Sequence, residues 1–291
     1  MPRGLPEVTH PDKILFPYNR YTKREVVEYY WKIAAYMLPF LNRRPLTLKI
    51  YPDGIDRKGF IQKHVPDHYP DSIPRLQVPS RESGELIRMV AVKNPLGLAW
   101  LANQNVLEFH APLSLARDLE QPDQMIFDLD PSDNDFEKVR ELAFALQSLL
   151  AERELPAFIK TTGSRGVHIH VPLRHGTDFH QLKEASRGLA ESLVGRCPEL
   201  ATLEQRKSAR GDRVYIDYLR NEYAMTAIAP YSLRALEGAP VATPIDWEEL
   251  GSHNTRPRRW HLKNILRRLG ARDDPWQDFA RHRVDLRTHL D

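Results

Sequence analysis

The chain has 291 residues, 41% of them hydrophobic and 28% charged, with a formal net charge of +3 and a single cysteine. That length supports one large domain or two smaller ones with proper cores, and the composition is ordinary for a soluble globular protein. Three things are excluded or disfavoured at once: interrupted apolar runs are far too short for a membrane span, Met1-Pro2-Arg3-Gly4-Leu5-Pro6-Glu7 lacks the apolar core of a signal peptide, and Cys197 alone makes no internal disulfide, so a reducing cytoplasm is the expected location.

In chain order, residues 10–17 carry two prolines and read as an extended arm. Thr22-Lys23-Arg24-Glu25 is a capping-box pattern that predicts a helix over 23–38, with Val26, Tyr29, Ile33 and Met37 on one stripe and Pro39 and Pro45 bracketing its end. Strands are predicted over 46–51, 59–64 and 86–92, and Asn94-Pro95 offers an N-cap and an N1 proline for a short helix through Ala102. Further strands follow over 106–110 and 124–130. Asn134-Asp135-Phe136-Glu137 then opens a helix to about Arg153, with Glu137 placed for a capping box and Val139, Leu142, Ala143, Leu146, Leu149 and Leu150 as its apolar stripe. Strands over 157–160 and 167–171 flank a Gly-containing turn, and a third long helix covers 179–196. Strands over 214–218 and 225–228 look paired around Leu219-Arg220-Asn221-Glu222, and a basic amphipathic helix is expected over 260–269. Without a strict βαβ rhythm, the fold class is α+β with antiparallel or mixed sheets flanked by helices.

Charge is distributed unevenly, with basic residues crowded at 206–213 and 256–268 and acids at 128–137. Such patches suit a protein that handles a polyanion and holds metal ions, and equally many that do neither. Within Met125-Ile126-Phe127-Asp128-Leu129-Asp130, period two puts Asp128 and Asp130 on one face and Phe127 and Leu129 in the core. Two such carboxylates are either oxygen ligands for Mg²⁺ or Mn²⁺ or the start of an acidic turn at Pro131-Ser132-Asp133. Asp217, among Ile216 and Tyr218, needs a partner: a metal shared with Asp128 and Asp130, or an arginine such as Arg213 or Arg220. In Thr162-Gly163-Ser164-Arg165-Gly166-Val167-His168-Ile169-His170, two glycines leave backbone amides free to face an anion beside hydroxyl and guanidinium donors, although such a hairpin is often only a turn. His168 and His170 share a face; a zinc site is the minor reading, since no cysteine pair or third histidine falls at useful spacing.

These segments resemble the polymerase domain of bacterial ligase D, a member of the archaeo-eukaryotic primase superfamily. The resemblance is carried by Asp128-Leu129-Asp130-Pro131, Ser164-Arg165-Gly166-Val167-His168 and Val214-Tyr215-Ile216-Asp217-Tyr218. It extends over His10-Pro11-Asp12-Lys13, Gln62-Lys63-His64, Trp100-Leu101-Ala102-Asn103 and Ala229-Pro230-Tyr231-Ser232-Leu233-Arg234 to about residue 250. It implies a primase-polymerase fold with an RRM-like palm over 1–291, a 5′-phosphate-binding arm and helix over about 1–45 and a helical extension over about 245–291. By the same resemblance Asp128, Asp130 and Asp217 hold two Mn²⁺ or Mg²⁺ ions. Ser164, Arg165, His168, His110, Arg220 and Arg234 bind the NTP or dNTP substrate, Lys13 and Lys23 take a DNA 5′-phosphate, and Phe60 stacks on the template.

The function it implies is template-directed extension of 3′ ends at gaps and double-strand breaks, with ribonucleotides preferred. The setting is non-homologous end joining on 5′-phosphorylated gapped DNA, near the nucleoid, with a Ku-like protein and an ATP-dependent DNA ligase as partners. The rival classes are a metal-dependent nuclease or phosphoesterase, a stand-alone primase, and a non-catalytic end-binding module. Taken singly, Lys13 and Lys23 read as surface lysines, one of Phe60 and Ile61 as core, Arg220 as an ion pair to Asp217 and His110 as a scaffold histidine. The chain departs from the family at Ile61, where many relatives have a second aromatic, at Arg165, where lysine is common, and at 80–85, a short polar stretch in place of a mobile end-aligning loop. No Lys-x-Asp-Gly ligase motif is present, so the chain reads as a stand-alone enzyme or an excised domain.

Overall fold

The computed structural model describes residues 4–80 and 83–289. Its strands are β1 (Ile14–Phe16), β2 (Tyr21–Thr22), β3 (Thr47–Ile50), β4 (Phe60–Gln62), β5 (Arg75–Pro79), β6 (Leu86–Val90), β7 (Val106–Pro112), β8 (Ser114–Leu115), β9 (Asp118–Pro122), β10 (Gln124–Pro131), β11 (Phe158–Thr161), β12 (Val167–Pro172), β13 (Ala201–Thr202), β14 (Val214–Asp217), β15 (Thr226–Ile228) and β16 (Pro244–Ile245). The helices are α1 (Lys23–Leu41), α2 (Pro95–Asn103), α3 (Phe136–Ala151), α4 (Phe179–Arg196), α5 (Trp247–Gly251) and α6 (Ile265–Ala271). They fall into two compact units.

One unit comprises Met1–Arg117, Thr226–Ala242 and Trp260–Asp273. Its four-stranded sheet runs in the order β15-β7-β3-β4 with every pair antiparallel. The stripe Val26, Tyr29, Ile33 and Met37 of α1 packs with Leu98 and Leu101 of α2 and with Leu48 and Phe109 of the sheet in one apolar cluster. The hydroxyl of Tyr30 donates to the Leu107 carbonyl at 2.5 Å and accepts from the Leu233 amide at 3.0 Å, tying helix to sheet. Thr22 caps α1 in the expected box with Glu25. Residues 10–17, expected as an extended arm, are extended over β1 and hydrogen-bonded to the start of α1. The Lys13 amide turns back to His10, β1 pairs with β2, and the Lys13 and Pro11 carbonyls accept the Lys23 and Arg24 amides at 2.8 and 3.0 Å. Two donors left open by the first turn of the helix are satisfied in this way. α1 also runs past Pro39, which lacks the amide that would bond the Ala35 carbonyl, and ends at Leu41, before Arg43 turns left-handed at φ 62°.

The other unit comprises Asp118–Met225, Thr243–Arg259 and Asp274–Asp291. Its six-stranded sheet runs β13-β14-β10-β12-β11-β16, antiparallel throughout except for β13 with β14. Met125, Phe127 and Leu129 fill one face of β10 and are fully buried. α3 and α4 lie against that strand, and the expected apolar stripe of α3 is buried. The pairing expected between residues 214–218 and 225–228 does not exist: β14 pairs with β10, and β15 joins β7 in the other sheet. Asn221 explains why, because its side-chain amide bonds both the N–H and the C=O of Ile126 at 2.8 and 2.7 Å, so the chain leaves β14 in a 3₁₀ turn rather than a hairpin. α3 has no capping box, because Asp135 is the cap and Glu137 sits one position too early, its carboxylate going to Arg140 and Arg256. The basic helix expected over 260–269 is the shorter α6. Of the segment 80–85, residues 81 and 82 lie outside the described residues.

Candidate active site

Strand register builds a row of chemistry across the larger sheet. Lys160 on β11 is opposite His168 on β12, His168 is opposite Asp128 on β10, and Asp128 is opposite Asp217 on β14. Asp130 lies two residues further along β10, on the same face. The three predicted acids therefore come together on two adjacent strands. His168 Nε2 is 3.4 Å from Asp128 Oδ2, and Arg220 Nε is 3.7 Å from the same oxygen and 3.1 Å from Asp217 Oδ2. The Leu219 amide donates to Asp217 at 3.1 Å, and Arg165 reaches Asp130 at 2.5 Å.

The charges differ from one acid to the next. Burial acts to raise Asp128, but His168, Arg220 and Lys160 outweigh it and hold the carboxyl at about 2. Burial, then the Lys160 charge, push His168 down to about 4, so near neutrality a neutral imidazole donates its Nε2 proton to an ionised Asp128. Asp130 and Asp217 are both raised, by burial and by the Asp128 charge, and Arg165 and Arg220 offset only part of this. Both carboxyls are thus held above the usual range, chiefly by burial. An all-oxygen set of three carboxylates in that condition fits a hard divalent cation. Among the described residues no three His, Cys, Asp or Glu side chains already converge on one metal position, and Arg165 and Arg220 are the counter-charges that Asp130 and Asp217 have here.

The turn between β11 and β12 is tied more closely than its glycines suggested. Thr162 Oγ1 accepts the Ser164 amide at 3.2 Å and donates to the Gly166 carbonyl at 3.1 Å, so the Ser164 amide is not free for an anion. A Cβ on Gly166 would lie 1.8 Å from the Leu129 carbonyl oxygen, which is how closely the turn presses on the acidic strand. Beside it, Arg165, Arg256 and Arg258 line a cleft of about 590 Å³ together with the start of α3.

In the other unit, His110 Nε2 lies 2.9 Å from Glu108 Oε2 and Arg234 Nε 3.2 Å from Glu108 Oε1. Lys49 completes this group at 3.0 Å from Glu108 Oε2. Lys13 pairs with Asp53 at 3.2 Å, whereas Lys23 is buried and donates to Thr9 Oγ1 at 2.8 Å. Burial and the nearby Lys13 charge lower Lys23. Phe60 and Ile61 are both exposed on the edge strand β4, so neither is core. The sequence reading passed over Glu108, Lys49 and Lys160. A charged residue inside an apolar strand, as in Leu107-Glu108-Phe109 and Ile159-Lys160-Thr161, was the available signal.

The family described as LigD, primase-polymerase domain, matches residues 22–276. The chain belongs to that family. The multifunctional non-homologous end joining protein LigD of Mycolicibacterium smegmatis is 32% identical over 270 residues, 92% of this chain and 35% of that protein. The bifunctional non-homologous end joining protein LigD of Bacillus subtilis is 31% identical over 281 residues, 96% of this chain and 45% of that protein. The chain thus spans less than half the length of these relatives. The solved polymerase domain from Mycobacterium tuberculosis ligase D in complex with DNA superimposes with a TM-score of 0.88 at 29% identity, covering 96% of this chain and 99% of that one. The α+β fold is that of the LigD polymerase domain, and membership of this primase-polymerase family makes the chain a DNA-directed nucleotidyltransferase that depends on a nucleotide substrate and a metal. No helix among the described residues is long and apolar enough to cross a membrane.

Proposed function

We propose that this primase-polymerase extends DNA 3′ ends by template-directed nucleotidyl transfer at gaps and double-strand breaks in non-homologous end joining. Ribonucleotides are its preferred substrate, and a Ku-like protein and an ATP-dependent DNA ligase act beside it, in the cytoplasm at the nucleoid. The observation that carries this reading is the alignment of Asp128, Asp130 and Asp217 on one face of the sheet, with a neutral His168 and two arginines against them. The names of the relatives and the DNA in the solved neighbour support the setting. The ribonucleotide preference rests on the family resemblance. We assign residues 1–291 to one functional domain, with the arm and first helix over about 1–45 serving the 5′-phosphate and about 245–291 as an extension.

Asp128, Asp130 and Asp217 would hold two Mg²⁺ or Mn²⁺ ions. Bound there, such ions supply charge neutralisation for the triphosphate and a lowered pKa for the primer hydroxyl. The chain's own groups do the rest. His168 fixes the orientation of the Asp128 carboxylate through its Nε2 proton. Arg165 and Arg220 carry donors that suit phosphate oxygens as well as carboxylates, and the Ser164 hydroxyl lies beside Arg165 in the turn. His110 and Arg234 are assigned to nucleotide binding, Lys13 and Lys23 to a 5′-phosphate across the gap, and Phe60 to stacking on a template base.

Primer extension on gapped DNA, with and without a 5′-phosphate, with ribo- and deoxyribonucleotides under Mg²⁺ and Mn²⁺, tests this function. Lengthening is expected, and Asp128→Asn or Asp130→Asn should abolish it while binding to gapped DNA persists. Shortening of the labelled strand would show a nuclease instead, and extension surviving in both variants would remove the acids from the chemistry.

A further inference from the structure

Glu108 sits at the floor of a donor cluster rather than in a simple ion pair. It lies on β7 directly opposite Lys49 of β3, and His110 follows two residues later on the same face, opposite Thr47. Both carboxylate oxygens are doubly engaged: Oε2 by Lys49 at 3.0 Å and His110 at 2.9 Å, Oε1 by Arg234 Nε at 3.2 Å and the Ala235 amide at 3.0 Å. The side chain of Glu108 is 3% exposed, whereas those of Lys49, Arg234 and His110 are 32, 18 and 14% exposed. The anion is therefore sealed below and the donors open above it.

One arginine would satisfy a buried carboxylate. Here two basic side chains, an imidazole N–H and a main-chain amide converge on one carboxylate. Burial acts to raise Glu108, but His110, Arg234 and Lys49 outweigh it and hold its carboxyl well below the usual carboxylate range, so it stays ionised and acceptor-only. Burial in turn lowers His110, and a neutral ring must then donate from Nε2. Glu108 fixes Arg234 twice, through the guanidinium and through the next amide. Long basic side chains held in place in this way lose less freedom when an anion arrives.

We propose that Glu108 is a positioning residue that sets Lys49, His110 and Arg234 as a preformed donor set for the polyphosphate of the incoming nucleotide. This rests on the reading of His110 and Arg234 as nucleotide contacts. Glu108→Gln keeps the shape and removes the charge. Glu108→Asp keeps the charge and withdraws it by one methylene, beyond simultaneous reach of all four donors.

Steady-state extension measures the effect, with the nucleotide and the gapped DNA titrated separately and thermal unfolding recorded for each variant. Both variants should raise the nucleotide KM by roughly tenfold, the usual scale for a group that orients others, with kcat and the KM for DNA within about threefold of wild type. A purely structural Glu108 would lower the melting temperature and the active fraction and leave the nucleotide KM unmoved, which overturns the proposal. A tighter nucleotide KM in Glu108→Gln, showing a carboxylate that merely competes with phosphate, overturns it too. Should Glu108→Gln fail to fold, Glu108→Asp decides by the same criterion. Arg234→Ala separates the two layers. If it raises the nucleotide KM and the Glu108 variants do not, the positioning role alone fails; if it changes nothing, the nucleotide assignment falls and the positioning role with it.

Discussion

Single residues decide how the Ser164–Arg165 turn meets the acids, and its two glycines are there for different reasons. Gly163 occupies the left-handed region at φ 66°, where a side chain costs about 1 kcal/mol. Gly166 is pressed against the Leu129 carbonyl, and an added Cβ would meet backbone that cannot rotate away. Gly163→Ala should therefore cost about 1 kcal/mol of stability and leave extension largely intact. Gly166→Ala should cost about 3 kcal/mol or more and abolish extension by driving the turn off β10. Denaturant unfolding of the two variants, run beside extension assays, checks the order; equal costs would show that the contact with Leu129 is not what the second glycine serves. The motif was legible in the sequence because its residue types are local. What Gly166 touches was not, since Leu129 is far away along the chain.

Elements were legible where their signals were local and misread where the partner was distant. Thr22 and Asn94 each mark a helix start by a cap that the sequence carries within four residues. The partners of β14 and β15 depend on which sheet each strand joins, and no periodicity encodes that choice. The same distinction governs the N-terminal arm. Its prolines suggested an extended arm without showing what holds it; its carbonyls complete the first turn of α1 and so bring Lys13 to the same helix end as Lys23, close enough for the two charges to repel. Two cations at a helix N-terminus, one of them buried, favour an anion shared between them. Lys13→Ala with Lys23→Ala should weaken binding to 5′-phosphorylated gaps by roughly tenfold more than to unphosphorylated ones, as expected for lost charge-assisted hydrogen bonds. Titration of the two DNAs by fluorescence anisotropy reads the difference. Equal losses would mean that the pair serves only the fold of the arm.

For the whole molecule, the histidines set how stability depends on pH. His110, His168 and His261 are all lowered, chiefly by burial, so the folded chain leaves them neutral at pH values where the unfolded chain protonates them. A group lowered in this way contributes stability that is fully present above the unfolded value of 6.5 and is lost as pH falls towards the folded value. For His168 the window runs from 6.5 down to about 4, and complete titration across it amounts to about 3 kcal/mol. Asp130 and Asp217, raised by burial and by the Asp128 charge, act in the opposite sense. Glu108 and Asp128 lie below the usual carboxylate range and add their own loss as pH falls through their unfolded values of 4.5 and 3.8. Urea unfolding in EDTA from pH 7 to pH 4 should show stability falling steadily, and His168→Gln should flatten that slope more than any other single histidine substitution. A His168→Gln curve parallel to wild type would mean that the imidazole is already protonated against Asp128 in the folded state, and would replace the neutral donor assigned to it with an ion pair.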